Sequence, residues 1–204
     1  MKRIVLVGAS GHGKVCAEIA KLNGYKEILF LDDNPLVKRC NEYEVVGSTE
    51  SLHRLVNSKT DFFVSIGDSR IRESKQDEVK NAGGNIVSLI HPNAVVSPDV
   101  EMGIGTVIMP GVVVNTGSYI GNGVIINTCS SVDHDCSISD YCHVAVGAHI
   151  CGTVKLNRHT WVGAGSTISN NIKICEDVVI GAGAVVVSDI KESGTYVGAP
   201  SKQL

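Results

Sequence analysis

Residues 120–150 read IGNGVIINTCSSVDHDCSISDYCHVAVGAHI, with an aliphatic side chain at every sixth position: Ile120, Ile126, Val132, Ile138, Val144 and Ile150. The same phase runs unbroken in both directions, from Ile90 to Val186, seventeen residues in all. Four residues after each aliphatic comes a small or β-branched partner, such as Thr106, Val124, Cys142, Ala148, Ser166, Val178 and Ala184. Gly, Asn, Asp or Ser often follows the aliphatic directly, as at Gly103, Asn115, Asp133 and Gly163. A period of six matches neither the 3.6 of an α-helix nor the two-residue alternation of a flat strand. It fits short extended rungs separated by corners, each rung turning one aliphatic and one small side chain inward, so that stacked coils bury a continuous core. The unbroken phase predicts coils stacked with no looped-out insertion.

Residues 1–88 have a different grammar. Ile4 to Val7 reads as a short buried strand, Gly8-Ala9-Ser10-Gly11-His12-Gly13-Lys14 as a glycine-rich turn, and Val15 to Asn23 as a helix ending at Gly24. Ile28 to Leu31 predicts a second strand closed by Asp32-Asp33-Asn34-Pro35, Ser48 to Val56 a helix, Phe62 to Ile66 a strand, and Ser69 to Ala82 a polar helix. Ile86 to Ile90 then leads through His91-Pro92 into the solenoid. Strands alternating with helices imply a small parallel sheet. The expected architecture is an N-terminal α/β Rossmann-like domain, 1–88, followed by the solenoid, 89–204.

The glycine turn is spaced G-x-x-G-x-G, which is not the dinucleotide fingerprint. It approaches a phosphate-binding loop through Gly8, Gly13 and Lys14, but Val15 stands where a Ser or Thr hydroxyl would hold Mg²⁺. The remaining reading is a strand-to-helix turn whose N–H groups receive a diphosphate. Asp32, 19 residues after Gly13, is placed to receive a ribose hydroxyl.

Composition narrows the partners. Net charge is −3 and no basic run is present, which disfavours nucleic acid and anionic membranes. Only four apolar residues follow Met1-Lys2-Arg3, too few for a signal peptide or a membrane span. The seven cysteines include no CxxC pair, and Cys136 and Cys142 fall at the inward small position as apolar filler. These features read as a reduced, cytoplasmic protein.

The ordered set Ser10-Gly11-His12-Gly13, Leu31-Asp32-Asp33, Ser65-Ile66-Gly67, Leu89-Ile90-His91-Pro92, Asn127-Thr128, His134-Asp135-Cys136 and Gly198-Ala199-Pro200 covers essentially the whole chain. On the unbroken hexapeptide phase, it resembles the bacterial hexapeptide-repeat sugar acetyltransferases, the UDP-N-acetylbacillosamine N-acetyltransferases and their sialic-acid O-acetyltransferase relatives. That resemblance implies a left-handed parallel β-helix in which three hexapeptides make one triangular coil. It implies acetyl-CoA as co-substrate, no metal, and a homotrimer with active sites shared between subunits. Carried over by motif position, Ser10, Gly11 and His12 would line a nucleotide-sugar site, Asp32 and Asp33 would contact the nucleoside, and Gly67 would close the pocket floor. His134 would be the general base and Asp135 its acidic partner, where the bacillosamine enzymes carry Glu. His143, Gly152, Ala164 and Ala182 would contact acetyl-CoA; the two alanines depart in side chain from the family, so backbone contacts are implied there.

A sugar amine attacking a thioester needs a base, donors for the oxyanion, and two substrates held in line. His134 can titrate near neutrality, and flanking Asp133 and Asp135 favour its imidazolium. Neighbours on an extended rung point to opposite faces, so His134 and Asp135 can meet only at a corner. One coil on from His134 stands Gly152, a candidate oxyanion donor and a gap for the thioester; one coil before stands Thr116. The remaining histidines read as structural: His149, His159 and His53 on the surface, His91 capping the linker turn. Trp161, one coil after His143, reads either as a wall of the acetyl-CoA groove or as subunit packing. Cys129 and Cys151 are candidate nucleophiles only if transfer runs through an acyl-cysteine. Residues 191–204 would cover the last coil or the acetyl-CoA groove.

Four functions compete. The first is acetylation of the 4-amino group of a nucleotide-linked amino sugar, UDP-4-amino-4,6-dideoxy-N-acetylglucosamine leading and a GDP-linked sugar second. The others are O-acetylation of sialic acid or an exopolysaccharide sugar, a metalloenzyme of the γ-carbonic-anhydrase kind, and a non-enzymatic nucleotide sensor. The metalloenzyme needs convergent histidines, and no pair among His91, His134, His143, His149 and His159 is one coil apart.

Overall fold

The computed structural model describes residues 2–204. The chain divides into two compact units, the first ending at Pro92 and the second spanning Asn93–Leu204.

In the first unit, the apolar run of β1 (Arg3–Val7) is buried on both faces, as a central parallel strand requires. It pairs in parallel with β2 (Glu27–Leu31) on one side and β5 (Thr60–Val64) on the other. α1 (Gly11–Leu22) follows β1 and α3 (Ser69–Asn81) follows β5. A hairpin missed in the sequence, β3 (Arg39–Cys40) and β4 (Tyr43–Gly47), turns at Asn41-Glu42 and adds β4 in parallel to β2. With β6 (Asn85–Ile86) the sheet order is β3-β4-β2-β1-β5-β6. The order reverses between β2 and β5, so a crevice opens at the carboxyl ends of β1, β2 and β5, where open α/β sheets bind ligands.

Several boundaries differ from expectation, each for a local reason. α1 begins at Gly11 rather than Val15, because the Lys14 N–H already donates to Ser10 O at 3.0 Å; only Gly8 to Ser10 is turn. Gly13 is needed inside this first helical turn, because a Cβ there would run into Gly8 O and lie 3.0 Å from the Phe30 ring. The expected helix 48–56 is a 3₁₀ turn, Thr49–Ser51, and one α-turn, α2 (Leu52–Leu55). β5 starts at Thr60, two residues early, because pairing with β1 overrides the polarity of Asp61. α3 is capped by Asp68, whose Oδ1 accepts from Arg70 and Ile71 N–H groups at 3.0 and 2.9 Å.

In the second unit, two-residue strands recur with a repeat of 18 residues, as in Val113↔Ser131, Ser131↔His149 and His149↔Thr167. They stack into three parallel ladders: one from Val107–Ile108 through His143–Val144 to Val178–Ile180, one from Val95–Val96 to Val185–Val186, and one from Glu101–Met102 to Lys173–Ile174. Every sixth aliphatic from Ile108 to Val186 is buried, while Ile90, Val96 and Met102 are half-buried. Each fully buried aliphatic contributes about 1.5–3 kcal/mol. The inward polar residues are satisfied by neighbouring coils: Thr106 donates to Gly121 O at 2.8 Å, and the Cys136 and Cys142 thiols to Cys151 O and Asn157 O at 3.1 Å.

The corners have their own six-residue period. From Gly105 to Gly183 every sixth residue has φ between +55° and +71°, including Cys129, Asp135, Tyr141, Thr153, His159, Asn171 and Asp177. Corner N–H groups are satisfied one coil back, as in Asp135 N–H to Thr116 O at 3.0 Å. The C-terminal Gly194–Val197 continues the first ladder in parallel with Val178–Ile180.

Candidate active site

His134 and Asp135 lie at a corner, and the left-handed φ of +58° at Asp135 is what turns both side chains to the same side. His134 Nδ1 is 2.9 Å from Asp135 Oδ2. A carboxylate only accepts, so Nδ1 carries the proton and Nε2 presents a lone pair. Both side chains are about half exposed, 49% and 62%, so the pair adds little to stability and is available to a ligand. The hydrogen bond that His134 donates to Asp135 raises its pKa above the ordinary 6.5; lost solvation opposes this, and the charges of Asp133 and Asp135 add to the rise.

Glycines shape this corner from above and below. A Cβ on Gly152 would sit 2.6 Å from His134 Nε2 and 2.7 Å from Cε1, so the imidazole edge occupies the place of the missing side chain. A Cβ on Gly117, one coil below Asp135, would collide with Asp135 Oδ1. Asp99 fixes this lower coil, accepting from Thr116 Oγ1 at 2.6 Å and from Gly117 N–H at 2.9 Å. Hydrogen bonds from Ser97, Thr116 and Gly117 hold the Asp99 carboxyl down at about 2. Asn115, Gly117 and Asp99 carried no site role in the sequence reading; stepping back 18 residues from Asp133 and from Asp135 finds the first two.

The expected acetyl-CoA contacts fall in three places on one chain. Gly152 is with His134. Ala164 and Ala182 are exposed on a different corner, one above the other, beside Gly165 and Gly183, where a Cβ would meet open space. His143 lies on the first ladder with only 7% exposure, its ring 4.1 Å from that of Trp161 and its Nε2 3.2 Å from Asn127 Nδ2. Two smaller expectations need correction or support. His159 is buried rather than on the surface, because its ring stacks on that of Tyr141, one coil back, with centroids 5.7 Å apart. His149 is exposed, as expected.

In the first unit, a cavity of about 300 Å³ lies in the switch-point crevice, lined by Ser10, Asp32, Asp33 and Gly67 together with Thr49 and Lys75. Asp32 accepts from Ala9 N–H at 2.7 Å through one oxygen and from Asn34 N–H at 2.8 Å through the other, leaving a lone pair on each. Asp33 is more constrained: Oδ1 accepts from Thr49 N–H and Oγ1, both at 2.8 Å, and Oδ2 pairs with Lys75 at 2.7 Å. Burial pushes the Asp33 pKa up, but the hydrogen bonds from Lys75 and Thr49 together outweigh it and hold the carboxyl low. Lys75 also reaches Glu78 at 3.0 Å and Thr49 Oγ1 at 2.9 Å, so it braces the acidic wall with all three of its hydrogens. A Cβ on Gly11 or Gly67 would meet open space, so nothing in the folded chain requires glycine there. His12 does not line the cavity. Its Nε2 is 3.6 Å from Cys16 Sγ, and burial, with Arg72 nearby, lowers its pKa to about 4. Arg72, fully buried, donates to Ile66 O at 2.9 Å and Gly67 O at 2.6 Å, fixing the floor of the crevice. Neither Lys75 nor Arg72 stood out in the sequence, because both sit in a helix that reads as a polar surface helix.

An α/β unit with a switch-point crevice and a parallel β-helix with an acid-paired histidine at a corner define the hexapeptide-repeat acyltransferase class. Residues 3–79 match the family model described as the PglD N-terminal domain. The acetyltransferase domain of PglB from Neisseria gonorrhoeae, solved in complex with acetyl coenzyme A, superposes with a TM-score of 0.96 at 38% identity, covering 100% of this chain and 99% of that one. GDP-perosamine N-acetyltransferase of Escherichia coli O157:H7 is 31% identical over 136 residues, 67% of this chain and 61% of that protein. UDP-N-acetylbacillosamine N-acetyltransferase of Bacillus subtilis is 31% identical over 110 residues, 52% of this chain and 51% of that protein. The chain thus matches less than two thirds of the length of these last two relatives. It belongs to the family of hexapeptide-repeat sugar acetyltransferases, and its solenoid is the left-handed parallel β-helix. Among the described residues, no helix is long and apolar enough to cross a membrane.

Proposed function

We propose that this protein transfers acetyl from acetyl-CoA to the 4-amino group of a nucleotide-linked amino sugar. The observation that carries the reading is the His134–Asp135 pair, with Nδ1 anchored at 2.9 Å and Nε2 at the gap left by Gly152. The amine nitrogen attacks the thioester carbonyl, Nε2 accepts the amine proton, and collapse of the tetrahedral intermediate releases the CoA thiolate, which is reprotonated. Asp135 orients the ring and stabilises the imidazolium. The Gly152 N–H is the candidate oxyanion donor.

The crevice supports a nucleotide as carrier. Asp32 retains a lone pair on each oxygen for a ribose diol, Gly11 and Gly67 leave room for close backbone approach, and Ser10 stands at the N-cap position of α1, without a capping bond of its own, at a helix start that suits a diphosphate. Asp33, braced by Lys75, would meet the base. A UDP-4-amino sugar is the leading acceptor, with a GDP-linked amino sugar second; relatives of both kinds are similar to this chain. That both are named N-acetyltransferases favours N- over O-acetylation.

His134 and Gly152 occupy one corner, Ala164 and Ala182 another. A single chain therefore does not gather the acyl-donor contacts around its base, which supports a homotrimer whose sites form between neighbouring subunits. The smooth strip of Ala164, Gly165, Ala182 and Gly183 suits backbone contact with a pantetheine arm. A cytoplasmic setting would supply acetyl-CoA.

The test is free-thiol release from acetyl-CoA with a UDP-4-amino sugar, a GDP-4-amino sugar, sialic acid and CMP-sialic acid. Turnover on a nucleotide amino sugar, reduced about 10²–10⁴-fold by His134→Asn, is expected. The raised His134 pKa means that activity climbs as pH rises through that pKa, since only neutral imidazole accepts the proton. Turnover only on a sialic acid would overturn the reading of Asp32 and Asp33.

A further inference from the structure

Asp133, whose charge adds to the rise in the His134 pKa, also takes part in the hydrogen bonds that hold the main chain at this corner. Asp133 Oδ1 accepts from Asn115 Nδ2, one coil below, at 2.9 Å, and from the backbone N–H of His134 at 2.8 Å. The main chain of Asp133 is tied on both sides. Its N–H donates to Ile150 O at 2.9 Å, and its carbonyl accepts from Ser118 Oγ at 2.8 Å. The next carbonyl, His134 O, accepts the Thr153 N–H at 2.9 Å. Asp135 therefore holds the ring, while Asp133 holds the backbone from which the ring projects. The two carboxylates flank the imidazole from adjacent positions but through different atoms.

We propose that Asp133, steered by Asn115, is a second positioning residue for His134: it sets the main chain at the corner and places a second negative charge beside the imidazolium formed in the transfer. This rests on the reading of His134 as the base. The other groups facing the ring leave this charge unmatched. The coil below contributes Asn115, Thr116 and Gly117, and the coil above Gly152 and Thr153, none of them charged. Asp99 is spent on Thr116 and Gly117. Cys136 points its thiol at Cys151 O and His134 O and stays protonated, burial pushing it up to about 11; Cys151, in the coil above, has a half-buried side chain. Hydrogen bonds from Asn115 and the His134 N–H keep Asp133 ionised well below the pH at which His134 titrates.

Asp133→Asn keeps the shape and both hydrogen bonds and removes only the charge. Its expected effect is a shift of the acid limb of kcat/KM to lower pH, with the high-pH plateau reduced about 3–10-fold because a weaker base accepts the proton less readily. Asn115→Ala leaves the charge and the His134 N–H bond but removes the other bond that steers the carboxylate, so it should lower the plateau by a similar factor with little movement of the limb. A purely structural role would lower the thermal midpoint and leave the limb in place. NMR titration of His134 in the substrate-free protein provides the reading that does not depend on turnover. A lower His134 pKa in Asp133→Asn supports the proposal, and a titration curve superimposable on wild type overturns it. If His134→Asn retains turnover, the base assignment fails, while the NMR titration still decides whether Asp133 acts on His134.

Discussion

At the scale of single residues, the site depends on side chains that are absent as much as on those present. Gly152 is the sharpest case. In Gly152→Ala the new methyl would lie 2.6 Å from His134 Nε2, so the ring must rotate out of its place. The expected result is a loss of about 10²-fold in kcat with a near-native thermal midpoint, read by steady-state assay and calorimetry together. That Gly152 stands one coil after His134 was legible once the family resemblance supplied a coil of three hexapeptides. That it touches the ring edge was not, because the sequence carries no rotamer. His12 shows the opposite limit. Its motif position implies a ligand contact, and in the folded chain it lies against Cys16 with its pKa lowered to about 4. The unfolded chain takes up this proton first as pH falls below about 6.5, the folded chain only near 4, so stability present above 6.5 is lost across that window, by at most about 3 kcal/mol. Urea unfolding of wild type and His12→Gln between pH 7 and 4 checks this. The variant should show a shallower acid loss, and parallel curves would refute the assignment.

At the scale of elements, the solenoid is a compromise between inward packing and corner strain. The aliphatic period was plain in the sequence because hydrophobic burial acts on residue type alone. The corner period was partly hidden, since Cys129, Asp135, Tyr141, Thr153, His159, Asn171 and Asp177 occupy left-handed positions where only glycine would have announced a turn. A non-glycine residue there costs about 1 kcal/mol or more. At Cys129, exposed and at φ +55°, Cys129→Gly should raise stability by a few tenths to about 1 kcal/mol after the added freedom of the unfolded chain is counted. It should leave turnover unchanged, which also tests the acyl-cysteine route. Thermal melts and the thiol-release assay decide both. In the α/β unit, the β3–β4 hairpin and the start of α1 escaped sequence reading because sheet pairing and close packing at Gly13 overrode local propensity.

At the scale of the whole molecule, the distribution of the donor contacts over two corners is the feature with most consequence. If neighbouring subunits complete each site, chains carrying His134→Asn and chains carrying Ala182→Arg should each be inactive alone. Mixed by co-refolding, they should regain roughly a quarter of wild-type activity, the share of interfaces pairing an intact base with an intact donor corner. Sedimentation of the mixture establishes the assembly. No recovery from a verified trimer would place each site within one chain.

The sequence by itself determined the two-part organisation, the six-residue repeat, the inward residues and the run Asp133-His134-Asp135. Each follows from hydrophobic pattern or from residue identity at a fixed spacing. Only the tertiary structure decided that Asp135 turns back to meet His134, that Gly117 and Gly152 make room for the pair, that Lys75 and Arg72 brace the crevice, and that His12 lies against Cys16 and His159 on Tyr141. Those outcomes depend on backbone torsion and on contacts between residues 18 or more apart, and physical proximity across coils is set by stacking rather than by neighbouring sequence.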